Sequence, residues 1–316
     1  MNITVLGNGA IGSLLGGLLA ADNRVRLIGS SAGGATRIRL ILPDRWLSAI
    51  ADSSHSPGDT DLLIVSLGRH HLRALKKETL RRLADPQRAH VVFCNCDASE
   101  ADRLAVPAAS RSLALSLTEA VSLQDGDVEV GPKGVTLVVQ EGTPVAEALS
   151  QTERFGASLL RAADVEAYLN AFFVYQLLFL PVALCNTTVR LFLCHADGRE
   201  LARRILEEGL KVMERSGRPL AKLPLFDPKE LLDSTVRNPA SFAPARHAPN
   251  RGYSPILQDM ILGKPTEARE LNKRAVELGA SVGLELPWNW RTYQKASRPA
   301  TIGFYRDPGE LLKSLA

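Results

Sequence analysis

Cysteine is scarce in this chain. Four cysteines (Cys94, Cys96, Cys185 and Cys194) among 316 residues cannot make a disulfide framework, and Cys94-x-Cys96 has no second pair at zinc-site spacing. Reduced thiols in a cytoplasm, and no metal, are the expectation. There is no concentrated run of basic residues either: Lys+Arg 38 stand against Asp+Glu 34, a formal net charge of +4, scattered along the chain. No nucleic-acid partner is expected, and a small phosphorylated ligand suits the balance better. No apolar run is long enough for a comfortable bilayer span. The most apolar stretch, Ala171 to Cys185 (AFFVYQLLFLPVALC), contains Gln176 and Pro181 and predicts a buried helix, with no membrane implied. The opening MNITVLGNGAIG has no basic start, and glycines interrupt its apolar run at once, so it reads as structure and not as a signal peptide. Repeats and low-complexity segments are absent. What is present is ordinary for a globular protein: 45% hydrophobic and 23% charged residues, in a chain about twice the usual single-domain length.

The first half alternates. Asn2 to Leu6 predicts a strand, Gly7-Asn8-Gly9-Ala10-Ile11-Gly12 a tight turn, and the small residues through about Ala21 a helix. A GxGxxG turn between a strand and a helix is the fingerprint of dinucleotide binding: the first glycine permits the turn, the second lets backbone approach a pyrophosphate, and the third packs helix on strand. Amides at the helix start then face the phosphate charge. Gly7, Asn8, Gly9, Ala10, Ile11 and Gly12 are therefore candidate cofactor-binding residues. A second strand, Arg24 to Ile28, ends in Gly29-Ser30-Ser31 where a carboxylate would hold the ribose hydroxyls of NAD. With no acid there, and with Ser30, Ser31, Arg37 and Arg39 nearby, NADP (as NADPH) is the expected cofactor; the arginines also fit ordinary surface charge. Further strands are predicted at Asp61 to Leu67, His90 to Cys94 and Arg111 to Leu117, with a helix near Leu72 to Leu83, giving an α/β fold with a mostly parallel sheet. Leu67 and Asn95 lie at strand ends, where doubly wound sheets hold ligands, and complete the cofactor-binding candidates with Ser30 and Arg37.

Gly126 to Gly142 predicts a hairpin turning at Gly131-Pro132-Lys133-Gly134. Beyond Thr152 strand signals cease, and helices are predicted over Ala163 to Cys194, Arg199 to Arg215, Pro228 to Val236 and Thr266 to Val282. Asp227-Pro228-Lys229-Glu230 is a helix start, with an acid as N-cap and proline at N1. The boundary is placed at residue 160: a Rossmann-type domain over 1–160 and an all-helical domain over 161–316, whose apolar faces lead us to expect a homodimer. Asn238 to Arg251 reads as a loop that borders a site.

One stretch narrows the choice of family. Tyr253-Ser254-Pro255-Ile256-Leu257-Gln258-Asp259, then Gly263-Lys264-Pro265-Thr266-Glu267, Leu271-Asn272 and Leu286-Pro287-x-Asn289 together resemble the C-terminal signature of the ketopantoate reductases (2-dehydropantoate 2-reductases). The resemblance implies a Rossmann-type domain followed by a helical domain like the C-terminal one of 6-phosphogluconate dehydrogenase. It also implies reduction of a small 2-oxo acid by NADPH, with Glu267 and Asn186 as catalytic candidates and Ser254 and Asn272 as substrate-binding ones. Thr266-Glu267 equally fits a plain helix start, and Asn186 and Asn272 equally fit polar residues satisfied inside the helical domain. The chain departs from the family pattern at several places. No lysine occurs between Lys133 and Lys211, so Tyr175, Gln176, Leu177 or Leu178 stands where the resemblance implies the acid lysine; Val182 replaces an asparagine a turn before Asn186. Pro255 replaces the second of two serines, Gly68 (next to Arg69) a lysine, and Cys96 a glycine. Turnover of ketopantoate itself should be severely reduced, since general acid catalysis contributes roughly a hundred- to ten-thousandfold. A different substrate or reaction follows, with Arg190, His195, Arg246, His247 or Arg251 as replacement cations or proton donors.

Overall fold

The computed structural model describes residues 1–29, 36–42, 46–51, 59–85, 88–96, 98–118, 121–124, 127–131, 134–237, 255–261, 268–296 and 305–316. The chain forms two compact units, Met1–Leu169 and Asn170–Ala316, dividing at 169 where the sequence suggested 160.

In the first unit, β1 (Asn2–Leu6) is buried from Ile3 onward on both faces, including Thr4, as a central parallel strand should be. It lies between β2 (Arg24–Ile28) and β5 (Leu62–Val65), parallel to both. Beyond β5 come β6 (His90–Cys94) and β7 (Arg111–Thr118), again parallel. The sheet continues with β10 (Val135–Gln140), antiparallel to β7, and β11 (Ala157–Ala162), parallel to β10. The order is β11-β10-β7-β6-β5-β1-β2. Helix α1 (Ala10–Leu19) connects β1 to β2; α2 (Arg69–Ala74) and α3 (Lys77–Leu83) follow β5, α4 (Ala98–Arg103) follows β6 and α5 (Pro144–Ser150) follows β10.

Three expectations need correction. The strand β11 lies beyond Thr152; its apolar residues do not alternate with polar ones along ASLLRA, so the period-two signal is missing. Two strands between β2 and β5 were not anticipated: β3 (Thr36–Ile41) and β4 (Trp46–Ala51) form a second sheet with β8 (Val121–Gln124) and β9 (Asp127–Val130), in the order β4-β3-β9-β8. Third, β9 and β10 are not a hairpin. The Gly131 carbonyl accepts from the Gly134 amide at 2.9 Å, but β9, buried only at alternate residues, joins the small sheet, whereas VTLVV of β10 is mostly buried in the large one. Pro132 and Lys133 lie outside the described residues. The small sheet packs on α1 through Ile38 and Leu40: a Cβ on Gly17 would stand 2.9 Å from Leu40 Cδ2 and 3.1 Å from Ile38 Cγ2.

The helical unit is built around one apolar stretch. Val165–Leu184 is long and apolar enough to cross a membrane by length and composition, and its residues from Phe173 on sit at the centre of the unit's core. It is broken into α6 (Val165–Gln176) and α7 (Phe179–Leu184). Pro181 is the cause, because its ring clashes with the carbonyl of residue 177 and it offers that carbonyl no N–H. The remaining helices are α8 (Val189–Cys194), α9 (Ala196–Arg215), α10 (Pro228–Arg237), α11 (Pro255–Ile261), α12 (Ala268–Ser281), α13 (Pro287–Lys295) and α14 (Pro308–Leu315). Helix α9 buries Leu201, Ala202, Ile205, Leu206, Gly209, Val212 and Met213, a helical stripe, and ties its outer face with Glu200–Arg203 and Arg203–Glu207 ion pairs. Asp227 caps α10 as its sequence indicated, accepting from the amides of Lys229 and Glu230 at 3.0 Å each.

Cys94, Cys96 and Cys185 are buried, whereas Cys194 is partly exposed. Burial pushes the Cys94 and Cys185 thiols up to about 12, leaving each with roughly a thousandth of the thiolate of a free cysteine at neutral pH. Thiol titration of the native protein at pH 8 is expected to give one fast-reacting group, lost in Cys194→Ser, with the others reacting only after unfolding. A second fast thiol in the folded protein would contradict the burial of these side chains.

Candidate functional site

The C-terminal edge of β1 builds the first part of the site. The Gly7 amide donates to the Ile28 carbonyl and the Ser66 amide to the Leu6 carbonyl, both at 2.8 Å, so the glycine turn leaves the sheet between β2 and β5. This is where the strand order reverses, the usual place for ligands in doubly wound sheets. Gly7 has φ +119, and a Cβ there would strike the Ser66 carbonyl and come 3.4 Å from Leu67 Cδ2. A Cβ on Gly12 would strike the Gly7 carbonyl. Packing alone accounts for both glycines. Gly9 is different: it is exposed, its φ of −71 suits any residue, and a Cβ on it would meet nothing within 4 Å among the described residues.

Gly9 is the N-cap of α1, and the first intrahelical bond runs from the Ser13 amide to the Gly9 carbonyl at 2.8 Å. The amides of Ala10, Ile11 and Gly12 precede that bond, and no acidic residue stands in the first turn to neutralise them. They form a positive end suited to phosphate. Ser13 Oγ donates to the Asn8 carbonyl at 3.2 Å and steadies the turn. Asn8 lays its carboxamide over Gly29 at the end of β2.

Asn95 follows β6 with φ +58, a left-handed conformation that asparagine tolerates. Its Oδ1 accepts from the Ser116 amide at 2.8 Å, and its own amide donates to the Ala114 carbonyl at 2.9 Å. The side chain thus extends the β6–β7 ladder by one rung. Leu67 lies against Gly7, and Gly68 caps α2 with Arg69 as its first residue. Arg37 and Arg39 point to the exposed face of β3, opposite the buried Ile38 and Leu40, and Arg39 is paired with Asp127. Ser30 and Ser31 lie outside the described residues.

In the helical unit the structure places Asn186 at a turn and not on a helix. It has φ +47 after the last turn of α7; its amide donates to Ala183 O at 3.0 Å and the Thr187 amide to Val182 O at 3.2 Å. That bond pair is a Schellman ending, in which a left-handed asparagine is favoured. The Asn186 side chain is exposed.

Asn272 is fully buried. Its Nδ2 donates to the Leu177 carbonyl at 3.2 Å and to Asn289 Oδ1 at 2.8 Å. The first of these satisfies the carbonyl that Pro181 cannot serve. Asn289 Nδ2 donates in turn to the Ile205 carbonyl and to Glu208 Oε2, at 3.3 and 2.8 Å. Glu208 also accepts from the amides of Trp288 and Asn289, at 2.9 Å each. It therefore caps α13 from α9, since Leu286, the local N-cap, has no side chain that could. Burial pushes the Glu208 carboxyl above its ordinary range against these donations. The signature residues Asn272 and Asn289 thus hold α12, α13, α9 and the α6–α7 break together; the contribution of Glu208 had no signal in the sequence. Glu267, Ser254, Arg246, His247 and Arg251 lie outside the described residues, while Arg190 and His195 are exposed on α8 and at the start of α9.

Residues 173–298 match the family model described as Ketopantoate reductase PanE/ApbA C terminal. The match spans most of the helical unit. No curated protein sequence matches the chain. Among solved structures, a PanE/ApbA family ketopantoate reductase from Ralstonia eutropha JMP134 is similar with a TM-score of 0.72 and 20% identity, over 93% of this chain and 96% of that one. The 2-dehydropantoate 2-reductase from Methylococcus capsulatus is similar with a TM-score of 0.69 and 19% identity, over 94% and 96%. D-mandelate dehydrogenase with NADH and anilino(oxo)acetate has a TM-score of 0.73 and 15% identity, over 100% and 99%. At these identities the likeness shows the fold: the Rossmann-type unit and helical unit of ketopantoate reductases. Where the sequence resemblance implies the ketopantoate reductase lysine, Tyr175 is 6% exposed and stacks on Phe226 at 5.0 Å, Leu177 and Leu178 are fully buried, and only Gln176 is partly exposed. None of these side chains is a cation.

Proposed function

We propose that this protein is an NADP-dependent oxidoreductase that reduces a small 2-oxo acid or related carbonyl compound, with a substrate or proton route changed from that of ketopantoate reductases. One observation carries the nucleotide half of this reading. Of the three motif glycines, Gly9 alone has no atom of the described residues to explain it, and a residue kept bare beside amides that precede the first intrahelical bond fits a pyrophosphate that must come close. The residues present fit the cofactor there: Gly9, Ala10, Ile11 and Gly12 would hold the diphosphate, while Leu67 and Asn95 border it at neighbouring strand ends. Bound NADPH supplies the hydride. Of the chain's own groups, Glu267 holds the proton for the substrate oxygen, Asn186 and Ser254 hydrogen-bond the substrate, and Arg37 and Ser30 serve the 2′-phosphate. The family match of the helical unit and the named substrates of its structural neighbours support the carbonyl half. We further propose a cytoplasmic homodimer; the ketopantoate reductase from Staphylococcus aureus of the same fold is described as dimeric.

A second reading is favoured by the apolar residues at the lysine position: a nucleotide-binding protein that has lost reductase chemistry or catalyses a non-redox reaction. Fluorescence titration is expected to show NADPH binding more tightly than NADH, followed by NADPH oxidation with at least one member of a 2-oxo acid panel. Glu267→Gln and Asn186→Gly should lower that turnover with the melting temperature unchanged, glycine being as well suited as asparagine to the α7 ending. Binding without oxidation across the panel selects the second reading, and absence of binding by either nucleotide removes both.

A further inference from the structure

We propose that the Asn8–Gly29 pair reads the ribose 2′-position of the nucleotide, a task that dinucleotide folds usually give to a side chain at the end of β2. The proposal rests on the dinucleotide reading and assigns it a discriminating residue. At the end of β2, Gly29 carries no side chain, and the volume that a Cβ would enter is filled by the Asn8 carboxamide: Cγ, Oδ1 and Nδ2 all lie within bonding distance of that hypothetical atom. The polar group at this point of the β2 end comes from the glycine turn, and on this proposal it acts beside the Ser30 and Arg37 already proposed for the 2′-phosphate. Its place is fixed from both sides. Gly7 turns the chain with its amide on the Ile28 carbonyl, one residue before Gly29, and Ser13 Oγ holds the Asn8 carbonyl at 3.2 Å.

The chemistry follows from the group. An acid here would accept from two ribose hydroxyls and repel a 2′-phosphate. A carboxamide is neutral and carries N–H donors, so it tolerates the phosphate dianion and makes a charge-assisted hydrogen bond with it. Gly29 is the enabling partner: any larger residue expels the amide from its seat. Because the obstacle would be the end of a flexible side chain and not backbone, Gly29→Ala should move Asn8 without disturbing the sheet.

The test uses two fragments that share everything but the phosphate, adenosine 2′,5′-bisphosphate and 5′-AMP, titrated calorimetrically against the full chain. The wild type is expected to prefer the bisphosphate, and Asn8→Ala to reduce that preference about tenfold, the scale of one hydrogen bond to a charged group. Gly29→Ala should do the same. In the Asn8→Ala background it should do nothing more, since no amide is left to displace. Gly29→Asp should reverse the preference in favour of 5′-AMP. Equal loss for both fragments in the single variants, or a Gly29→Ala effect undiminished in the Asn8→Ala background, overturns the assignment while leaving the dinucleotide site intact. A wild type that binds neither fragment, nor NADPH or NADH, removes the dinucleotide reading and the assignment with it.

Discussion

Gly9→Ala is expected to weaken NADPH binding at least about a hundredfold while leaving the melting temperature within about one degree of the wild type. The scale is that of losing the close approach of two or three backbone donors to a charged phosphate. The fold should not register the methyl group, because it enters open space at a backbone conformation open to any residue. Gly12→Ala should behave in the opposite way. Its methyl group is driven into the Gly7 carbonyl, so helix and strand must separate, and the unit should be severely destabilised whether or not nucleotide is present. Calorimetric titration and thermal melting of the two variants side by side distinguish a ligand site from a merely structural turn. Should Gly9→Ala bind NADPH like the wild type, the turn is a chain reversal and nothing more.

The second large effect belongs to the helical unit. Asn289→Ala removes the amide that joins Asn272 to Glu208, leaving Asn272 Nδ2 with one acceptor fewer and the Ile205 carbonyl and Glu208 each with one donor fewer, Glu208 keeping the Trp288 and Asn289 backbone amides. The three hydrogen bonds lost are worth about 0.5–1.5 kcal/mol each, and more for the one to the carboxylate, so a total of about 3 kcal/mol is expected, seen as a fall in melting temperature of roughly 6–12 °C in a unit of this size. An exposed asparagine such as Asn186 offers the contrast, since its replacement by glycine should change stability by no more than about 0.5 kcal/mol. A small effect of Asn289→Ala would mean that the Glu208–Asn289–Asn272 chain does not hold the helices together.

These outcomes bear on how much could be read from residues alone. The glycine turn was legible because steric demands on Gly7 and Gly12 are local, reaching no further than the next strand. The Asp227 cap was legible for the same reason. The small sheet was not, because TRIRLI reads equally as a strand and as a pair of surface arginines until Ile38 and Leu40 find Gly16 and Gly17 on α1. Nor was the helix break fully legible. Pro181 announces it, but the partner of the freed Leu177 carbonyl is 95 residues further along the chain, and no local pattern links the two. In sequence Asn272 fits a substrate-facing residue and one satisfied inside the domain alike; its amide is committed to Leu177 and Asn289, both within the helical unit. The reverse holds for Asn8, whose position inside a familiar motif conceals what its side chain does.

Helix α1 is gripped along its length, with every residue from Gly12 to Leu19 buried, the large sheet on one side and Ile38 and Leu40 on the other. Its leading amides are carried at the head of that buried rod. The disorder of those donors is surrendered when the polypeptide folds, and, on the dinucleotide reading proposed above, an arriving anion would meet an anvil whose shape owes nothing to its presence.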